Sequence, residues 1–289
     1  MRTFSLRSPI LGSAVLLACS VAGMATSVSY NLSVNPSTTN NPDIQNSGNN
    51  STATTGLNGV NYGASPYLLP IYGVTTNTAP NLNVFDPSAQ SWGSGSWSPS
   101  SVANTNLYGK QGGGGETGLG IAADPTGDYE QFANSGNNPS YGFLILNVQN
   151  LLNIPGLTYL QLQIGSAQSG ELYTIWGSNN SSCSGAGTTS ATCTSAGSAT
   201  LLMSGPGVGN SAVAGPFDVP NWGSYNYIWV GAQVNPNTNA NGQANILLDA
   251  SISFTDTPVG GTPEPATLAL AGSSLIGLAF YLRRRSTKR

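Results

Sequence analysis

The chain has no histidine and little charge, with eight Lys and Arg and eleven Asp and Glu among its 289 residues. Without histidine the usual serine or cysteine triad lacks its general base, and a zinc site lacks its commonest neutral ligand. Basic residues are scarcer still in the interior of the chain. Between residues 26 and 262 Lys110 is the only one, against seven Asp and three Glu, which leaves a net charge of minus nine. Phosphate backbones and anionic lipid headgroups are held through Lys and Arg, so nucleic acid is not expected as a partner. Helical periodicity is missing too. No segment of 26–262 keeps a 3.6-residue apolar period over three turns, and no repeat of 20–50 residues is evident.

The positive charge that exists sits mostly at the C-terminus. Pro263-Glu264-Pro265 is followed by an uncharged apolar stretch, 266–282, then by Arg283-Arg284-Arg285 and by Lys288 and Arg289. A helix over 266–282 would rise about 1.5 Å per residue, roughly 25 Å in all, near the short limit for a bilayer core of roughly 30 Å. The basic cluster beyond it resists translocation and would stay cytoplasmic. The run Pro263-Glu264-Pro265-Ala266-Thr267-Leu268-Ala269-Leu270-Ala271-Gly272, with Gly277-Leu278-Ala279 and the Arg triplet, resembles the PEP-CTERM sorting domain of Gram-negative bacteria. That resemblance implies recognition by an exosortase, a membrane-embedded transpeptidase-like enzyme that removes the tail near Pro-Glu-Pro and passes the protein to the cell surface. An ordinary C-terminal membrane anchor is the alternative, and it would need no Pro-Glu-Pro.

The N-terminus agrees with export. Arg2 and Arg7 precede an apolar run over 10–22, and Gly23-Met24-Ala25 supplies the small residues that signal peptidase reads, so cleavage is expected after Ala25. Leu16-Leu17-Ala18-Cys19 also resembles a lipobox, which leaves lipoprotein processing as a second route. If the cut follows Ala25, the mature chain keeps Cys183 and Cys193. An even pair in an oxidising compartment predicts a disulfide across the loop 184–192.

Four parts follow: a signal peptide over 1–25, a polar Asn/Ser/Gly-rich region with short strands over 26–115, a β-sandwich core over 116–257, and a sorting tail over 258–289. In the second, short apolar runs at 27–34, 67–74 and 82–85 read as strands, 35–56 as a loop or linker, and the four glycines 112–115 as a flexible connection. In the third, alternation over 157–164 turns Leu160, Leu162 and Ile164 to one side and Tyr159, Gln161 and Gln163 to the other. The same period sets Ile228, Val230 and Val234 against Tyr227, Trp229 and Gln233. It also turns Ile246, Leu248, Ala250, Ile252 and Phe254 inward over 245–254. With two further runs at 141–148 and 171–176, these predict an all-β chain, an antiparallel β-sandwich of jelly-roll-like topology. The blocks 116–121, 165–171, 176–179 and 245–248 resemble a sandwich module that often precedes this kind of tail. That resemblance implies surface display and carries no catalytic residue with it.

Chemistry is sparsely signalled. Asp124, Asp128 and Glu130 fall within seven residues around a turn and would offer Ca²⁺ hard oxygen ligands, or serve simply as a solvated turn. No other cofactor is indicated. Two carboxylates suffice for a glycosidase, and Glu116, Glu130, Glu171 and the aspartates are available, although chain spacing does not establish proximity. Trp92, Trp97, Trp222 and Tyr225 lie in loop-like contexts where an aromatic face can stack on a sugar ring or pack in the core. The expected role is an exported surface or matrix protein, structural or adhesive within extracellular polysaccharide, with exosortase and signal peptidase as processing partners and no enzymatic activity. A carbohydrate-binding module and a carboxylate-based glycoside hydrolase are the alternatives.

Overall fold

The computed structural model describes residues 27–32, 53–54, 57–99, 102–111, 117–121, 141–165, 170–188, 190–195, 197–207, 213–234 and 247–255. The expected signal peptide, the expected span over 266–282, the glycines 112–115 and nearly all of the expected loop over 35–56 lie outside them. Among the described residues no helix is long and apolar enough to cross a membrane.

Eight strands build the sandwich: Thr117–Ile121, Tyr141–Asn147, Tyr159–Gly165, Glu171–Ser178, Ala199–Pro206, Ala214–Asp218, Tyr227–Val234 and Leu247–Thr255. Counted in that order, one sheet runs first, eighth, third, sixth, and the other runs second, seventh, fourth, fifth. Each of these neighbours pairs antiparallel. Two Greek keys produce that order, so the topology is the expected jelly roll.

Strands from 27–111 enlarge both sheets. Leu107–Gln111 pairs with the first strand and Ala53–Thr54 lies beyond it, while Ser27–Asn31 pairs with the eighth. On the other sheet Leu69–Thr76 pairs with the second strand and is flanked by Gly59–Tyr62 and Ala103–Thr105. Gly95–Trp97 and Asn81–Leu82 extend that sheet past the fifth strand.

The main core lies between the sheets. Leu119, Leu160, Leu162, Ile164, Ile252 and Phe254 meet Ile71, Leu144, Leu146, Ile175, Ile228 and Val230, all fully buried. Each such side chain contributes about 1.5–3 kcal/mol by leaving water. In the third strand Tyr159, Gln161 and Gln163 stay partly exposed, so the predicted alternation holds there.

It fails in the seventh strand. Tyr227, Trp229 and Gln233, expected on the side away from the core, are 4, 0 and 6 % exposed. The second sheet is buried on both faces, because a further cluster of Tyr72, Val74, Phe143, Ile145, Trp176, Tyr227 and Trp229 covers its outer side. The cover comes from Trp97 and from a hairpin, Ser181–Ser184 with Thr192–Ser195, in which Cys183 stands opposite Cys193 and is disulfide-bonded to it. Beyond the disulfide the tip reaches the strand Gly59–Tyr62. Gly187 N–H donates to the Gly59 carbonyl at 2.9 Å, and Asn61 Nδ2 donates to the Ala186 carbonyl at 2.8 Å. Nearer the disulfide, Cys193 N–H donates to Asn104 Oδ1 at 2.6 Å. The hairpin is thus a strap across the outer face, held at both ends.

Candidate functional site

Four aromatic residues were candidates either for stacking on a sugar ring or for packing in the core, and the fold divides them. Trp97 is 2 % exposed, stacked on Phe143 with ring centroids 4.4 Å apart and edge-on to Trp229 at 4.9 Å. Its Nε1 donates to the Thr78 carbonyl at 2.9 Å, which satisfies the one polar atom that burial would otherwise orphan. Trp222 is 3 % exposed and packs edge-on against Phe254 at 5.0 Å, with Nε1 donating to the Thr158 carbonyl at 3.0 Å. Neither ring offers a face to solvent, so of the two uses open to them these two take core packing. They lie in loop-like sequence, but both loops fold back onto apolar surface.

Trp92 and Tyr225 are half-buried. Trp92 packs against Phe85 at 5.0 Å, and its backbone N–H and carbonyl both bond the Ser204 hydroxyl. Tyr225 lies over Gly177, so one side of its ring is already used. The loop carrying it is tied down by Asn179, whose Oδ1 accepts from Asn226 N–H at 2.7 Å and whose Nδ2 donates to the Ser224 carbonyl at 3.0 Å.

The acidic residues do not assemble among the described residues, where no group of three or more His, Cys, Asp and Glu is found. Asp124, Asp128, Glu130 and Glu116 lie outside them. Glu171 is buried at the start of the fourth strand, opposite Val234, and Asp218 accepts from Gln161 Nε2 at 3.1 Å. Asp86 is exposed. The Ser88 hydroxyl and the backbone N–H groups of Ala89 and Ser88 converge on its carboxylate and hold its pKa below the usual value, which locks a turn.

A concave feature lies where no motif pointed to one. A groove of about 400 Å³ lies between the strand Ser27–Asn31 and the segment 62–67, lined by Val28, Tyr30, Tyr62, Gly63, Pro66 and Tyr67 among others. Tyr30 donates its hydroxyl to the Tyr67 carbonyl at 2.7 Å, and Tyr67 N–H closes a turn onto the Ala64 carbonyl at 2.7 Å. Gly63 has φ +73°, and a Cβ there would stand 2.6 Å from the Tyr67 carbonyl oxygen, so the turn requires glycine. Tyr62 is 1 % exposed and its hydroxyl has no hydrogen-bond partner. Burial pushes the pKa of both Tyr30 and Tyr62 upward, with the neighbouring Tyr67 a smaller contributor at Tyr30, so both phenols stay neutral.

The described residues form an all-β jelly roll, and the comparison with known families concerns the segment that follows it. The family described as PEP-CTERM protein-sorting motif matches residues 262–285, so the chain carries that motif directly after its sandwich. The motif implies export and processing by an exosortase. No curated protein and no solved structure matches the chain.

Proposed function

We propose that this protein is exported, trimmed by an exosortase and retained at the cell surface or in the extracellular matrix, where its jelly roll has a structural or adhesive role within exopolysaccharide. The observation that carries this reading is the motif at 262–285 following a sandwich that closes at Thr255. On this reading residues 1–25 are removed by signal peptidase and the segment 266–282 is a temporary anchor. Pro263-Glu264-Pro265 is the recognition element, Arg283-Arg284-Arg285 the stop-transfer cluster, and the protein performs no catalysis.

The test is the mass of the exported C-terminus in cells with and without an exosortase. Loss of the tail only in the first, and its retention after Glu264→Ala, is the expected result. An identical C-terminus in both strains would end the proposal. A second reading, a carbohydrate-binding module, is favoured by the tyrosine-lined groove.

A further inference from the structure

The strand Ser27–Asn31 is a short terminal piece that seals the main core beside the last strand. It pairs antiparallel with Leu247–Thr255, with Ser27 opposite Thr255 and Asn31 opposite Ser251. Tyr30, 5 % exposed, stands edge-on to Phe254 at 6.0 Å and donates its hydroxyl to the Tyr67 carbonyl at 2.7 Å. Leu32 is fully buried in the same core, and Val28 packs against it. With the strand withdrawn, residues 251–255 would show an open sheet edge beside an unfilled apolar slot, which is a template for another strand. The strand that fits this seat in register and side chains is Ser27–Asn31 itself, whether from this copy or from a neighbour.

We propose that Ser27–Asn31 exchanges between copies of this chain, one copy's first strand seating on its neighbour's last strand. The proposal rests on the reading above of an exported structural protein freed of residues 1–25, and it names the contact through which copies join. Thr26 alone separates the strand from the expected cut after Ala25. Once that cut is made, the strand's N-terminal end is untethered. At its other end residues 33–52 lead to Ala53–Thr54, and their composition, dominated by Asn, Ser, Thr and Pro with Val34 and Ile44 as the large apolar residues, suits a linker. Fully extended, 33–52 would span roughly 66–72 Å. A domain of this size has a radius of gyration of about 17 Å, so the strand can reach an adjacent copy.

The same ladder and the same apolar contacts form whichever copy supplies the strand, which is why exchange of an identical element is a low-cost route to assembly. In dilute protein the tether gives a copy's own seat the higher effective concentration of strand. On a crowded surface the concentration of neighbouring strands rises towards that value. Reciprocal exchange closes a dimer, while one-way exchange leaves a strand at one end and a seat at the other and so extends a chain. A second copy is favoured over a foreign segment because Tyr30 and Leu32 already fill the slot at Phe254.

The experiment pairs two variants of the full chain, Ser29→Cys and Ser253→Cys, produced together in the exporting cells. Ser29 lies directly opposite Ser253, so a disulfide joining two chains reports a strand seated on another copy. One control replaces the second variant with Ser88→Cys, at an exposed position in the turn after Asp86. The other carries Ser29→Cys and Ser253→Cys in a single chain. Non-reducing gels should show a species of twice the chain mass, severalfold more abundant than with Ser88→Cys, and an internal bond in the doubly substituted chain. Cross-linking no greater than with Ser88→Cys, while the doubly substituted chain closes on itself, overturns the exchange and leaves the structural reading in place. Absence of that internal bond overturns the seat itself. The N-terminal mass of the same protein checks the reading beneath, because an exported chain that still carries residues 1–25 contradicts both.

Discussion

The ring of Phe143 lies over Gly231, the residue directly opposite it on the neighbouring strand. The same relation recurs twice in the second sheet, with Tyr173 over Gly205 and Tyr72 over Gly59. In each case a glycine makes room for a ring to lie flat along the sheet. A Cβ at 231 would stand 2.5 Å from two carbons of the Phe143 ring, which is itself wedged against Trp97 and Trp229.

Gly231→Ala should therefore destabilise the protein by about 1–3 kcal/mol, the usual cost of overpacking a filled core. Urea denaturation followed by fluorescence checks it. An unchanged midpoint would mean that the ring moves aside without penalty.

Replacing both Cys183 and Cys193 with serine removes the cross-link in the strap over the outer face. For a ring this small the chain-entropy estimate is about 2–3 kcal/mol of stability. The strap also covers Trp229, whose Nε1 donates to Ser181 Oγ at 3.2 Å. Native-state emission should consequently shift to the red. Lower stability with unchanged emission would place the effect in the unfolded chain alone.

Trp222→Ala should cost about 3–5 kcal/mol, and Trp222→Phe about 1 kcal/mol for the lost bond to Thr158. Per folded molecule, retention on polysaccharide should not change in Trp222→Phe. Selective loss of retention in that variant would restore a binding role for the indole.

Alkaline pH should weaken the fold through Tyr173. Burial raises its pKa from the ordinary 10.0 to about 12. The folded state thus holds the phenolic proton more tightly than the unfolded chain does. The associated stability is complete below pH 10 and is lost as pH rises towards about 12. Tyr173→Phe should show a shallower fall across that window. Parallel curves for the two proteins would contradict the assignment.

Much of the jelly roll was legible because its strands alternate, and 227–234 was bounded correctly from the sequence alone. Alternation tells which residues share a face, not whether something covers that face. Trp229 and Tyr227 were assigned to the side away from the core because their cover comes from 181–195 and 95–97, segments too rich in Ser, Thr and Gly to look like core. For Trp97 and Trp222 the choice between stacking and core packing stayed open for the same reason, since a loop composition does not reveal where the loop folds back. The groove was invisible for a different cause. Tyr30 and Tyr67 stand 37 residues apart, and the strand Ser27–Asn31 that carries Tyr30 is placed by its pairing with Leu247–Thr255. The tail was readable because its three parts are contiguous.

The last strand is held from both sides. Leu247–Thr255 is flanked by Tyr159–Gly165 on one side and by Ser27–Asn31 and Thr117–Ile121 on the other. A load applied along this strand would act at right angles to its ladder bonds. Those bonds then resist in shear, sharing the load, where an edge strand peeled sideways would surrender them one after another.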